Sequence, residues 1–324
     1  MMKFLKTLAL GIGVAVIAAG AASAQTALKI GHGHSEKHSF HLAMQKFSEL
    51  LEQKAPGAFT VTIYPQASLG SEREMQEQLT TGTLEMTITG VLAIFEPKIT
   101  LLELPYLFRD RDHIQKAQAS DAVDALVSGL PAKGVRLVGF LENGFRNITN
   151  NTRPINTPDD VKGLKIRTPE NLAQIETFNA LGASPTPMPF SELYAALRQG
   201  VVDGQENPLQ NIYDGKLQEV QKHLALTGHI YNSAYLVVSE TFYQGLTAEQ
   251  RTAFEAAVKE AGDWQFNYIA QRDQELLGLL KEAGMEVTTP DPAAFREATS
   301  KAYDAFYERY GDDARSFVKA IGEL

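Results

Sequence analysis

Residues 247–284 read TAEQRTAFEAAVKEAGDWQFNYIAQRDQELLGLLKEAG. Thr247-Ala248-Glu249-Gln250 is a capping box, in which a hydroxyl takes an orphan amide N–H and the residue three later reaches back to the cap. No proline interrupts the stretch from Arg251 to Ala283, and Gly284 supplies the stop. The spacing predicts a single helix from Thr247 to about Ala283, roughly 55 Å at 1.5 Å per residue and longer than a domain of ~150 residues is wide. Such a helix belongs to two domains at once. Asp291-Pro292 then starts a further helix, with Phe295, Tyr303, Phe306 and Tyr307 on a buried stripe.

Upstream, strand-like segments at Leu28–Gly33, Thr60–Tyr64, Glu85–Thr89, Val135–Leu141 and Leu164–Arg167 alternate with helical patterns at about 35–54, 71–81 and 111–129. That alternation predicts α/β units around largely parallel sheets. Thr157-Pro158-Asp159-Asp160 is a cap with proline at the first helical position, and Gly182 closes an amphipathic stretch beginning near Asn171. Ser191, after Pro187-Met188-Pro189-Phe190, is expected to cap a helix and to leave Phe190 as a pocket wall.

The chain has 324 residues, 44% of them hydrophobic, no cysteine and a formal charge of −9. Without cysteine there is no thiol nucleophile, disulfide framework, thiolate zinc site or iron–sulfur cluster. The acidic balance and the lack of a Lys/Arg run argue against a nucleic-acid binder. Residues 1–24 carry Lys3 and Lys6, the apolar run Leu8–Ala19, and Ala22-Ser23-Ala24 before Gln25. Those are the parts of a cleaved secretory signal, and the apolar run is shorter than the ~20 residues that span a bilayer. Losing Lys3 and Lys6 from 30 basic residues leaves 28 against 39 acidic, a formal charge of −11 on an exported chain expected in a bacterial periplasm.

Ligands of open α/β sheets sit beyond the carboxyl ends of strands. Arg167 ends Leu164-Lys165-Ile166-Arg167, and Arg146 follows the strand Val135–Leu141. A guanidinium fork takes a carboxylate with two parallel hydrogen bonds; the competing account of each arginine is a structural salt bridge. Val201-Val202-Asp203-Gly204-Gln205-Glu206-Asn207-Pro208 is a short strand ending in a polar cluster, whose Asn207 is held extended by the proline after it. His32, His34, His38 and His41 crowd together and raise a metal site, although their spacing is not diagnostic of one. No G-x-S-x-G elbow, H-E-x-x-H pair or Walker loop is present.

Five motifs stand in order: Glu142-Asn143-Gly144-Phe145-Arg146-Asn147-Ile148-Thr149-Asn150-Asn151, Arg153-Pro154-Ile155, Gly163-Leu164-Lys165-Ile166-Arg167, the run from Leu181-Gly182 to Glu192-Leu193-Tyr194, and Val202-Asp203-Gly204-Gln205-Glu206-Asn207-Pro208. Together they resemble the solute-binding proteins of tripartite ATP-independent periplasmic (TRAP) transporters. Tyr64-Pro65, Leu69-Gly70, Leu104-Pro105-Tyr106-Leu107-Phe108, Glu219-Val220-Gln221 and Thr227-Gly228-His229 extend the likeness over nearly the whole exported chain. The resemblance implies a two-lobed α/β periplasmic solute-binding fold with a long helix spanning both lobes. Residues 25–143 with 233–272 are expected to form one lobe, and 144–232 with 273–324 the other. It implies a receptor without catalysis or cofactor, which closes around a small organic acid and delivers it to a membrane permease driven by an ion gradient.

By the same resemblance Arg167 grips the solute carboxylate, and Arg146, Asn207, Phe190 and Glu72 line the cleft. The Gly31-His32 start, His38 and the phrase around Phe145-Arg146 are similar to branches that take sugar acids, and Asn211 completes the expected contacts. Gly33 and Gly90 stand where the sialic-acid branch carries Asn and Glu, which argues against sialic acid. A hexuronate or aldonate is the expected solute, a four-carbon dicarboxylate or keto acid the runner-up, and a metal-handling protein or a secreted enzyme the rivals from other classes.

Overall fold

The computed structural model describes residues 25–324, so the signal-like segment lies outside the described residues. Eleven short strands form two sheets: β1 Thr26–Gly31, β2 Phe59–Tyr64, β3 Met86–Thr89, β4 Val135–Phe145, β5 Asn147–Asn150, β6 Lys165–Thr168, β7 Ser184–Pro187, β8 Gly204–Asn207, β9 His223–Ala225, β10 Tyr231–Ser239 and β11 Glu286–Thr288. The first sheet has the order β2-β1-β3-β10-β4 and the second β11-β9-β5-β8-β6-β7. Each lobe is built on one of them.

The largely parallel pattern expected from β–α alternation holds for β1 with β2 and β3, for β6 with β7 and β8, and for β9 with β11. It fails where the chain changes lobes. β10 runs antiparallel to β3 and β4, and β5 antiparallel to β8 and β9, so both sheets are mixed. The reason is connectivity: β4 leaves the first sheet and continues through Arg146 into β5 of the second, while the segment after β9 returns as β10. The two crossings are tied together where Arg146 N–H donates to Ile230 O at 2.8 Å. Gly204 lets β8 approach β5, since a Cβ there would fall 2.2 Å from Thr149 O.

The third connection is the helix Ala248–Glu282, 35 residues with the Thr247 capping box in place. Its first half buries Phe254, Ala257, Val258 and Ala261 with Phe40, Met44 and Phe47 in the first-lobe core. Its last turns bury Leu280 with Leu193, Leu197 and Met285 in the second. Between them Gln265, fully buried, clamps β4: its amide donates to Glu142 O at 2.8 Å and to Ser39 Oγ at 2.9 Å, and its oxygen accepts from Glu142 N–H at 2.9 Å. Among the described residues no helix is long and apolar enough to cross a membrane.

Three local expectations change. The helical pattern at 111–129 is two helices, Arg111–Gln118 and Asp121–Val127, because the Ser120 hydroxyl caps the second. Ser191 is not a cap: the helix Phe190–Arg198 starts earlier, from Pro189, whose ring holds φ at −56°. The C-terminal run does not stay with the second lobe. Phe295 packs there with Ile166 and Phe178, and the helix Ala302–Tyr310 lies on the helix Leu172–Ala180 of the same lobe, but Phe317 and Ile321 of the last helix bury in a cluster with Ile99, Ile114 and Val135 of the first. An amphipathic stripe says that a helix face is covered and not by what.

Candidate functional site

A cavity of about 300 Å³ opens between the lobes, where the strand ends of both sheets meet. Of the eight residues expected to touch solute, six line it: Arg167, Arg146, Asn207, Asn211, Phe190 and Glu72. His32 and His38 lie one layer behind. His34, absent from the expected set, is on the wall, stacked on His38 at 4.1 Å and 4.9 Å from the Phe190 ring.

The arginines differ in what surrounds them. Arg146 is gripped at Nε and Nη2 by the Glu206 carboxylate, with Nη2 2.8 Å from Oε1, and it also donates to Glu206 O at 2.7 Å. The two side chains are buried, and His229 Nε2 lies 3.3 Å from the same carboxylate. Burial alone would raise the Glu206 carboxyl, but Arg146 and His229 hold it below its ordinary value. Arg167 has no carboxylate within ion-pair distance among the described residues. Its Nε and Nη2 donate to one carbonyl, Met188 O, at 3.0 and 2.7 Å. Desolvation, with Arg146 nearby as a like charge, pushes this guanidinium down to about 10.

Glu72 faces the cavity from the start of the helix Glu72–Thr81. Its Oε2 accepts from Thr89 Oγ1 at 2.6 Å and Gly90 N–H at 3.0 Å. Desolvation raises its pKa, opposed by those two bonds and by Arg167 and Arg146. Gly33 borders the cavity with open space around its missing Cβ, so the small residue makes room there. Phe190 and Met188 supply apolar wall.

Three of the four clustered histidines spend their ring nitrogens on protein partners. His32 Nε2 lies 3.1 Å from His41 Nδ1, His38 Nδ1 accepts from Phe40 N–H at 3.2 Å, and His38 Nε2 lies 2.9 Å from Asn211 Oδ1. Burial pushes His32 down to about 3 and His38 to about 4. Among the described residues no group of three or more His, Cys, Asp or Glu could hold a metal ion.

Sequence reasoning missed Glu206 as the partner of Arg146, and Asn143, Asn232 and Gln76 as wall residues. Asn143 and Glu206 stood inside quoted motifs, one residue or a few from an expected contact. Asn232 carries no local signal: it is one polar residue near the start of a fully buried strand.

The chemistry is that of capture. One unpaired cation, a donor-rich amide wall, one carboxylate and an apolar face enclose a space the size of a small hydrophilic acid. Comparisons with known proteins agree. The model of the family described as bacterial extracellular solute-binding protein, family 7, matches residues 30–310. A 2,3-diketo-L-gulonate-binding periplasmic protein of Escherichia coli is 34% identical over 301 residues, 92% of each chain. A C4-dicarboxylate-binding periplasmic protein of Rhodobacter capsulatus is 37% identical over 283 residues, 85% of this chain and 84% of that one. The crystal structure of a TRAP periplasmic solute-binding protein from Polaromonas sp., bound to D-erythronate, superposes with a TM-score of 0.87 at 35% identity, covering 92% of this chain and 98% of that one.

Proposed function

Because the chain belongs to family 7 of the bacterial extracellular solute-binding proteins, receptors of TRAP transport, we propose that its solute is a sugar acid such as an aldonate or hexuronate, held by its carboxylate on Arg167. The observation that carries this is the buried guanidinium with no carboxylate partner. A carboxylate entering the cavity completes the fork and restores to the cation what burial removed. Glu72 then accepts from solute hydroxyls, Asn207 and Asn211 belong to the polar wall that meets its oxygens, and Phe190 covers the carbon chain. The relatives that bind 2,3-diketo-L-gulonate and D-erythronate support a hydroxylated monocarboxylate.

The Rhodobacter capsulatus relative favours a second reading, a four-carbon dicarboxylate. Against it stands the charge of the wall: Arg146 is already neutralised by Glu206, and Arg73 sits exposed at the rim on Glu77. That leaves one guanidinium for one carboxylate. In the cell, on this proposal, the chain is exported to the periplasm, closes its two lobes over the acid without transforming it, and hands it to the TRAP membrane permease. Residues 25–143 with 233–272 and 144–232 with 273–311 are assigned as the lobes that close, with the helix Asp312–Gly322 riding on the first.

A thermal-shift screen of the refolded, ligand-free chain tests this, using galactonate, D-erythronate, hexuronates, succinate, malate, keto acids and zinc. A solute at a thousand times its Kd adds about 4 kcal/mol and moves the transition by several degrees. The expected result is a shift with aldonates or hexuronates. A shift with dicarboxylates alone selects the second reading, and one with zinc alone overturns both.

A further inference from the structure

We propose that His38 is a positioning residue for the solute: across the cleft, it fixes the direction in which the asparagine amides of the cavity wall point. His38 is the N-cap of the helix Ser39–Lys54 in the first lobe, and its Nδ1 accepts the Phe40 N–H at 3.2 Å. A neutral imidazole that accepts at Nδ1 carries its proton on Nε2. Burial keeps the ring neutral near pH 7, its pKa pushed down to about 4. The Nε2–H therefore donates to Asn211 Oδ1 at 2.9 Å, on the helix Leu209–Asp214 of the second lobe.

One direction then propagates. Asn211 has its oxygen turned to His38, so its Nδ2 donates to Asn143 Oδ1 at 3.0 Å and to Asn207 Oδ1 at 3.1 Å. Asn207 Oδ1 also accepts from Arg146 Nη2 at 3.2 Å, and Asn207 Nδ2 donates onward to Gln205 Oε1. Asn143 Nδ2 donates to Asn232 Oδ1, which Arg146 Nη1 reaches at 3.3 Å. All four asparagines line the cavity, and every one of their amide oxygens is engaged by a protein donor. Asn232 Nδ2 in turn donates to Gly90 O at 3.4 Å, so Asn143, Asn207 and Asn232 each spend one amide hydrogen inside the network and keep a second for an oxygen in the cavity. Reversing Asn211 would set its oxygen against two other amide oxygens. A wall of donors beside Arg167, with the acceptor Glu72 on the helix Glu72–Thr81, suits carboxylate and hydroxyl oxygens. This rests on the reading of the cavity as the site of an acid, and it adds the residue that, together with Arg146 at the other end of the network, sets the wall's polarity by holding Asn211 without touching the solute.

Two measurements decide it. Long-range ¹H–¹⁵N spectra of the labelled wild-type chain at pH 7 read the His38 tautomer directly. The Nε2–H form is expected with and without D-erythronate, and an Nδ1–H ring or an imidazolium overturns the proposal even if every variant fails to fold. Calorimetry with D-erythronate and galactonate then compares His38→Gln, which keeps an N–H for Asn211, with His38→Met, of similar length and no donor. Gln is expected within about threefold of wild type and Met tenfold weaker or more. A residue that merely filled space would weaken both alike, so equal affinities overturn it. A wild-type chain in the Nε2–H form that binds neither acid overturns the solute assignment while upholding the direction of the amides.

Discussion

Arg146 and Arg167 are both 2% exposed, both leave strands, and both line the same cavity. Arg146 spans the crossing between β4 and β5 and is saturated by a buried carboxylate on β8. Arg167, at the end of β6, has a single carbonyl oxygen for company. The lesson is that a buried charge with its partner belongs to the folded structure, whereas a buried charge without one keeps a place for a ligand. The carboxylates repeat the contrast. Glu206 is held down by Arg146 and His229, while Glu103, bonded to Gln174 at 2.6 Å and touching no cation, is pushed up to about 7 by burial.

The comparison breaks most visibly in stability. Arg146→Met strands the Glu206 charge and should cost about 3–5 kcal/mol in urea unfolding, much of it recovered by adding Glu206→Gln. An unchanged midpoint would mean that the pair is not structural. Arg167→Met should do the reverse, leaving the ligand-free protein as stable as before or more so. Its solute affinity should fall by about 2–5 kcal/mol, roughly thirty- to several-thousand-fold by calorimetry, and undiminished binding sinks the assignment.

Glu103 sharpens the contrast through pH. Its folded-state pKa is raised from 4.5 to about 7, so across that interval the folded protein holds a proton that the unfolded chain has released. Its contribution is complete below 4.5 and is lost as pH rises through about 7, on the order of 3 kcal/mol in all. Glu103→Gln should flatten the stability difference between pH 5 and pH 8; a difference as steep as wild type rules the group out. The smallest effect is expected at Glu72. Glu72→Gln keeps the shape and loses the charged acceptor, weakening a hydroxylated acid about tenfold, and no change in Kd would remove Glu72 from the contacts.

Local grammar was the legible part. The Thr247 capping box, the helix to Glu282 and the start at Pro292 lie where caps and glycine place them, because such signals depend on a few adjacent residues. The site was legible through its charged residues and the motifs around them. Missing were Asn232, near the start of an all-buried strand, and the layer occupied by His32 and His38, which depends on ring nitrogens finding His41 and Asn211 from other elements. The buried stripe of Phe295, Tyr303, Phe306 and Tyr307 could be read from the sequence, yet the docking of the last helix, Asp312–Gly322, on the first lobe could not.

By itself the sequence determined a two-lobed α/β chain bridged by one long helix, and the residue types able to hold an acid, since periodicity, caps and functional groups are properties of short segments. Family likeness names Arg167 for the carboxylate, but residue types and positions leave the two arginines level, and the physical reason that one is free comes from tertiary structure. That depends on Glu206 on β8 reaching Arg146 between β4 and β5 and stopping short of Arg167 on β6, and ion pairing falls off over a few ångströms that only packing of distant strands sets.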